Sequence, residues 1–264
     1  MPWAHWLSPR HAQDADDKKS AWSRYTTTQT ITACILTAAA TLALERLYKT
    51  YLRRIPSVDY LKPGLFRQRS LYGYVTSVGD GDNFRLFHTP GGRLFGWGWF
   101  PGRRVGDVKQ LKGQTVHVRI AGVDAPELAH FGNPAQPYGK EALEWLRSFV
   151  LHRYVRAYPY RRDRFDRVVC TVSRTRWLFF NTDVGHNMLK NGMATVYTAK
   201  DGSEEFGSRE RQYRGAEARA KEKKIGMWHK PSLVGKLLGR QESVESPREY
   251  KTRIIKQERQ AKSG

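Results

Sequence analysis

Cysteine is nearly missing from this chain: its 264 residues contain two, Cys34 and Cys170. Cys34 lies in an apolar stretch near the start and Cys170 follows Val168 and Val169 in a strand-like run, so both read as small buried hydrophobes, not a disulfide framework. No Cys/His spacing suits structural zinc. Acidic residues are also scarce, 25 Asp and Glu against 46 Lys and Arg, for a formal charge of +21. That charge draws in polyanions, nucleic acid first, although an anionic lipid surface or a basic targeting signal would leave the same signature. There is no internal repeat, and only one long uncharged run.

That run, YTTTQTITACILTAAATLAL at 25–44, is moderately apolar because threonines fill its first half. Threonine hydroxyls can bond back to their own helix, so they lower the drive to enter a membrane without forbidding it. The segment predicts a single transmembrane helix over 28–47, with a targeting segment or a helix packed on the body as alternatives. Basic residues on both flanks leave its orientation open. Residues 1–24, polar and mixed in charge, read as disordered, and 48–69 as a linker punctuated by Pro56 and Lys62-Pro63-Gly64.

From about 70 the pattern turns to short strands. LYGYVTSV (71–78), the Gly79-Asp80-Gly81-Asp82 turn and FRLFHT (84–89) make a hairpin signal. TVHVRIAGV (115–123) alternates as another strand, after a glycine- and tryptophan-rich loop that contains Trp97 and Trp99. KEALEWLRSFVLH (140–152) has helical periodicity with Leu143, Leu146 and Val150 on one side. Residues 154–173 read as two strands joined by a basic turn. A short helix over 183–190 follows, capped by Asp183 and ended near Asn191-Gly192, then a long helix within 204–228 that turns Tyr213, Ala216 and Ala220 inward. The stretch 231–264 is a basic tail, with a short amphipathic helix near 233–238 and a solvated, disordered remainder. The expected class is mainly β with packed helices: a small closed or nearly closed barrel whose polar rim carries the chemistry.

Three weak signals gather there. Asp80 and Asp82 share the hairpin turn, which Asp-Gly favours for backbone reasons alone. Asp124 and Glu127 emerge where the strand bearing Arg119 ends at the stiff Pro126. Arg161 to Arg167 form an arginine-dense turn that would otherwise be a solvated loop. Phosphodiester hydrolysis needs all three chemistries: carboxylate oxygens for a divalent ion, guanidinium forks for phosphoryl oxygens, and a carboxylate to position water. Scattered His88, His117, His130, His152 and His186 read as structural, and Phe165 and Tyr197 as packing or rim residues with base stacking as the sharper alternative.

The motifs GDGDNF (79–84), VRIAGVDAPE (118–127), YGKEA (138–142), DRFDR (163–167), LKNGMA (189–194) and AEARAKEKKIGMW (216–228) resemble, in order, those of the staphylococcal-nuclease-like (thermonuclease-like) family over 70–230. The resemblance implies a five-stranded OB-fold barrel with three helices. It also implies calcium-dependent endonucleolytic cleavage of DNA or RNA with little sequence preference. Carried over by position, Asp82 and Asp124 are metal ligands, with the backbone carbonyl of Ala125, where the family more usually has threonine. Asp80 is a nearby acid acting on the metal through water or through the ligands, Glu127 is the general base or water-positioning carboxylate, and Arg119 and Arg167 bind phosphate. Asn83 replaces a common threonine, and Asp166 stands in a usual glycine position, where it would pair with Arg167 or distort the turn. The apolar span, the Gly/Trp insertion and the basic tail together resemble the fungal membrane-anchored probable endonucleases of mitochondria. That implies a single-pass mitochondrial membrane protein. Nothing points to a protein partner or an oligomeric state, and a noncatalytic nucleic-acid-binding module is the competing reading.

Overall fold

The computed structural model describes residues 28–97, 105, 111–129, 133–177, 180–197, 206–229 and 245–263. Expectations for 1–24, Trp99, His130 and the helix near 233–238 lie outside the described residues. The chain divides into two units, one ending at Arg53 and one starting at Arg54.

The first unit holds helix α1 (Thr28–Leu47), which runs on as a π-helical turn over Tyr48–Leu52. Twenty residues at about 1.5 Å each match a hydrocarbon core of about 30 Å. None of its side chains is buried against protein. Thr32, Thr37 and Thr41 each donate their hydroxyl to the carbonyl four residues back, at 2.8 Å, so these three hydroxyls are satisfied within the helix. By length and composition it can cross a membrane.

The second unit is a closed barrel. Its strands are β1 (Leu71–Asp80), β2 (Asn83–His88), β3 (Val116–Ile120), β5 (Tyr154–Arg162) and β6 (Val168–Trp177), in the order β3-β2-β1-β5-β6. Parallel pairing of β3 with β6, Val118 opposite Val168 and Ile120 opposite Cys170, closes the ring and removes the edges. A short β7 (Phe180–Asp183) extends β6, and β4 (Val123–Asp124) pairs separately with β8 (Thr195–Val196). Alternation along β1 puts Leu71 and Val75 inward, and a bulge between Val75 and Ser77 turns Val78 inward as well, where they meet Phe84, Leu86, Val116, Val118, Ile120 and Val172.

Helix α2 (Gly139–Val150) caps the barrel through Ala142, Leu146 and Val150, spaced four apart, while Leu143 packs at the margin of the core. Full burial of Leu146 makes its truncation to alanine worth about 2–5 kcal/mol. Asp183 caps helix α3 (Val184–Lys190) by accepting the His186 amide at 3.0 Å. Helix α4 (Glu210–Glu222) buries Tyr213, Ala216 and Ala220.

Two segments differ from expectation. Within the supposed linker, Ile55, Val58, Leu61 and Leu65 are buried in the main core, because two 3₁₀ turns fold them under the barrel. In the supposed disordered tail, residues Pro247–Ser263 form helix α5. Its start is a capping box: the Glu249 carboxylate accepts the Ser246 amide at 2.8 Å, and the Ser246 hydroxyl accepts the Glu249 amide at 3.3 Å. Pro247 and Tyr250 are buried, and the Tyr250 hydroxyl donates to the Pro134 carbonyl.

Candidate active site

The rim acids are brought together by backbone pairing. The β1–β2 turn sets Asp80 opposite Asn83, and a β-carbon at Gly81 would stand 2.7 Å from that of Ala125, so only glycine lets this turn lie on the segment after Asp124. Asn83 pairs with Arg119 across β2 and β3, which aims the arginine at Asp82: Arg119 Nε donates to Asp82 Oδ2 at 3.0 Å. Its Nη2 stands 3.6 Å from Asp124 Oδ1, and its guanidinium lies 4.8 Å over the Tyr197 ring. Asp82 and Asp124 are buried, as is Ala125.

Glu127 is set by its main chain. Its amide donates to Gln136 Oε1 at 3.2 Å and its carbonyl accepts the Gln136 amide at 2.8 Å. Gly139 packs so closely that a β-carbon there would meet the Glu127 carbonyl at 2.7 Å, so the start of α2 forms the floor under this residue. The Glu127 side chain is partly exposed and accepts a charge from an unexpected direction. Lys251, on the first turns of α5, places its ammonium 2.8 Å from Glu127 Oε1 and 2.7 Å from Asp124 Oδ1.

Electrostatics follow from this crowding. Burial, then the charge of Asp82, pushes Asp80 up to about 6, with Glu127 adding to the rise. Burial raises Asp124 while Lys251 and Arg119 pull it back. Burial works to lower Lys251 and Arg119, but the neighbouring carboxylates more than offset it, so both cations are held protonated. Four carboxylates, Asp80, Asp82, Asp124 and Glu127, thus share two cations and retain an excess of negative charge.

Arg167 enters from the β5–β6 turn, one residue before Val168 pairs with Val118. Its Nε donates to Asp163 Oδ2 at 2.8 Å, and Phe165 lies 5.1 Å beneath its guanidinium. Asp166 neither pairs with it nor disrupts the turn: it adopts the left-handed φ of 57° that the glycine position requires and accepts from Arg162 at 2.8 Å. His117 stands between the groups, its Nε2 3.2 Å from Asn83 Oδ1, and is pushed down to about 4 by burial and then by Arg85 and Arg167.

Among the described residues, no group of three or more His, Cys, Asp or Glu side chains is arranged to hold a metal ion. Asp82 and Asp124 are directed onto Arg119 and Lys251 instead of a common point. The donor chemistry nonetheless fits a hard divalent cation: buried carboxylate oxygens in excess of their counter-charges. Sequence reading did not find Lys251, Asp163 or Gln136. Only the S-x-x-E box at 246–249 advertises the helix that carries Lys251.

Residues 117–230 match the family described as Staphylococcal nuclease homologue. The chain is 52% identical over 265 residues to the probable endonuclease lcl3 of Botryotinia fuckeliana (strain B05.10), covering 96% of this chain and 97% of that one. The Sclerotinia sclerotiorum protein of the same name is 56% identical over 233 residues, covering 88% of this chain and 84% of its own. That of Pyrenophora tritici-repentis is 51% identical over 274 residues, covering both chains fully.

Proposed function

Because this chain belongs to the staphylococcal-nuclease-like family, alongside the fungal probable endonucleases, we propose that it is a membrane-tethered endonuclease cutting DNA or RNA with little sequence preference. The observation that carries the reading is the interlocked set Asp82–Arg119–Asp124 beside Glu127, buried in a chain of charge +21. A merely solvated rim would not bury its carboxylates at this cost.

In this reading Asp82, Asp124 and the Ala125 carbonyl hold calcium, with Asp80 behind them. Calcium, when bound, supplies charge stabilisation to the phosphoryl oxygens. The Glu127 carboxylate orients a water and takes its proton as the water oxygen attacks phosphorus. Arg119 and Arg167 receive the phosphoryl oxygens through their forks. Arg167 also donates to the leaving oxygen as the phosphorus–oxygen bond breaks, and that oxygen takes a proton from solvent. These groups address phosphate, not base edges, which favours low sequence preference. Helix α1 anchors the protein in this reading, and mitochondrial placement rests on the resemblance of its layout, an apolar span, a nuclease-like domain and a basic tail, to the fungal membrane-anchored endonucleases.

The test is cleavage of circular single-stranded DNA and a linear RNA by the full chain in detergent, with calcium and after chelation. Cutting of the circle that chelation abolishes supports the proposal. Tight binding without cleavage in calcium, magnesium or manganese rejects it in favour of a noncatalytic binding module.

A further inference from the structure

Lys251 is placed where a cation belongs. Its ammonium bridges one oxygen of Asp124 and one of Glu127, at 2.7 and 2.8 Å, and with Arg119 it offsets part of the charge of the acidic cluster. This lysine does not reach the site from a flexible side branch. It stands one turn into α5, whose start is fixed to the neighbourhood of Glu127 by several bonds. Gln136, which holds the Glu127 main chain, donates its side-chain amide to the Glu245 carbonyl at 2.6 Å. Tyr250 is buried and donates to the Pro134 carbonyl. Arg253 clamps Glu245 with two bonds of 2.9 Å, and Ser246 and Glu249 close the capping box.

We infer that Lys251 is a built-in competitor for the divalent cation: helix α5 straps its ammonium onto Asp124 and Glu127, and the strap must release for the metal to load. The inference rests on the assignment of Asp124 as ligand and Glu127 as water-positioning carboxylate. An ammonium and a divalent ion gathered on the same Asp124 carboxylate would stand close together and repel, so each occupancy opposes the other. Among the described residues the docking contacts are local: the buried side chains Pro247 and Tyr250, the bonds to Gln136 and Pro134, and those of Lys251 itself. A segment held by contacts of this kind can open without unfolding the barrel. Lys251 therefore sets the cation threshold of the site, and its ammonium also engages one oxygen of Glu127.

Competition of this kind is reciprocal: whatever lysine takes from calcium affinity, calcium takes from helix docking. The experiment uses the full chain in detergent. Calcium affinity is measured by titration calorimetry for the wild type, Lys251→Met and Lys251→Arg, and amide hydrogen exchange over 245–256 is followed with and without calcium. Lys251→Met keeps a long unbranched side chain and removes the charge. The expected results are calcium affinity raised on the order of tenfold in Lys251→Met, near wild type in Lys251→Arg, and faster wild-type exchange in α5 when calcium is added. Equal affinity in all three proteins with unchanged α5 protection would overturn the inference while leaving the metal assignment intact. If neither wild type nor Lys251→Met binds calcium, magnesium or manganese, the metal assignment falls and the inference falls with it.

Discussion

Arg167 is held by Asp163 and not by its neighbour Asp166. Its Nε donates to Asp163 Oδ2 at 2.8 Å, while Asp163 Oδ1 accepts the backbone amides of Phe165 and Arg167 at 2.8 and 2.9 Å. The same carboxylate thus shapes the turn and aims the guanidinium, and these bonds hold Asp163 below the usual carboxylate range against its own burial.

Replacing that carboxylate should therefore harm position and stability together. Asp163→Ala is expected to cost about 1–3 kcal/mol, from backbone donors left without a partner. It should also lower cleavage at least about tenfold, because Arg167 loses its orientation. Asp163→Asn, which keeps one acceptor, should recover most of the stability and less of the rate. Thermal denaturation and single-turnover cleavage of the three proteins check this.

Asp183 is the second structural carboxylate. One oxygen takes the His186 amide at 3.0 Å and the buried Tyr213 hydroxyl at 2.9 Å, and the other takes Arg209 at 2.6 Å. Loss of the cap costs about 1 kcal/mol and the stranded Tyr213 hydroxyl a further 1–3, so Asp183→Ala is expected to destabilise by about 2–4 kcal/mol. Combined with Tyr213→Phe the loss should be less than the sum of the two, which a denaturation cycle measures directly.

His88 makes the barrel sensitive to acid. Its Nδ1 accepts the Ile55 amide at 3.0 Å, and burial, aided by Arg69 and Arg54, pushes it from 6.5 down to about 4. The unfolded chain takes the proton first, so the stabilisation is complete above pH 6.5 and is lost as pH falls toward 4. The amount is on the order of 2–3 kcal/mol. His117, lowered for the same reason, adds to the loss in the same window. Denaturant unfolding at pH 7.5 and pH 5 should show a smaller difference in His88→Asn than in the wild type; an equal difference would place the sensitivity elsewhere.

Legibility in the sequence followed the range of the forces involved. Alternation in β1 and β3 and the helical spacing of Leu143, Leu146 and Val150 are local patterns, so the barrel and its capping helix could be read directly, although Ala142 and not Leu143 completes the buried face. Asp183 was legible because a cap is a local event. The approach of Asp82 to Arg119 needed the β2–β3 register, which no local pattern fixes, and came from motif order. Helix α5 was illegible in another way. It buries little apolar surface and is rich in lysine and arginine, which is what a solvated tail looks like, and its docking depends on Pro134 and Gln136, more than a hundred residues earlier. The partner of Arg167 was misjudged because Asp163 and Asp166 are equivalent in composition. Only the left-handed backbone at Asp166 turns that carboxylate toward Arg162.

A buried acid–arginine cluster that serves phosphodiester hydrolysis, with Glu127 handling the water, must lose rate without losing substrate when that carboxylate is replaced. The most direct measurement compares single-turnover cleavage by the wild type and Glu127→Gln at saturating calcium, with nucleic-acid affinity measured alongside. The expected result is a rate lower by roughly 10²–10⁴-fold and an affinity nearly unchanged, since glutamine keeps the shape but cannot take the proton. Equal rates in the two proteins, at equal affinity, would contradict it.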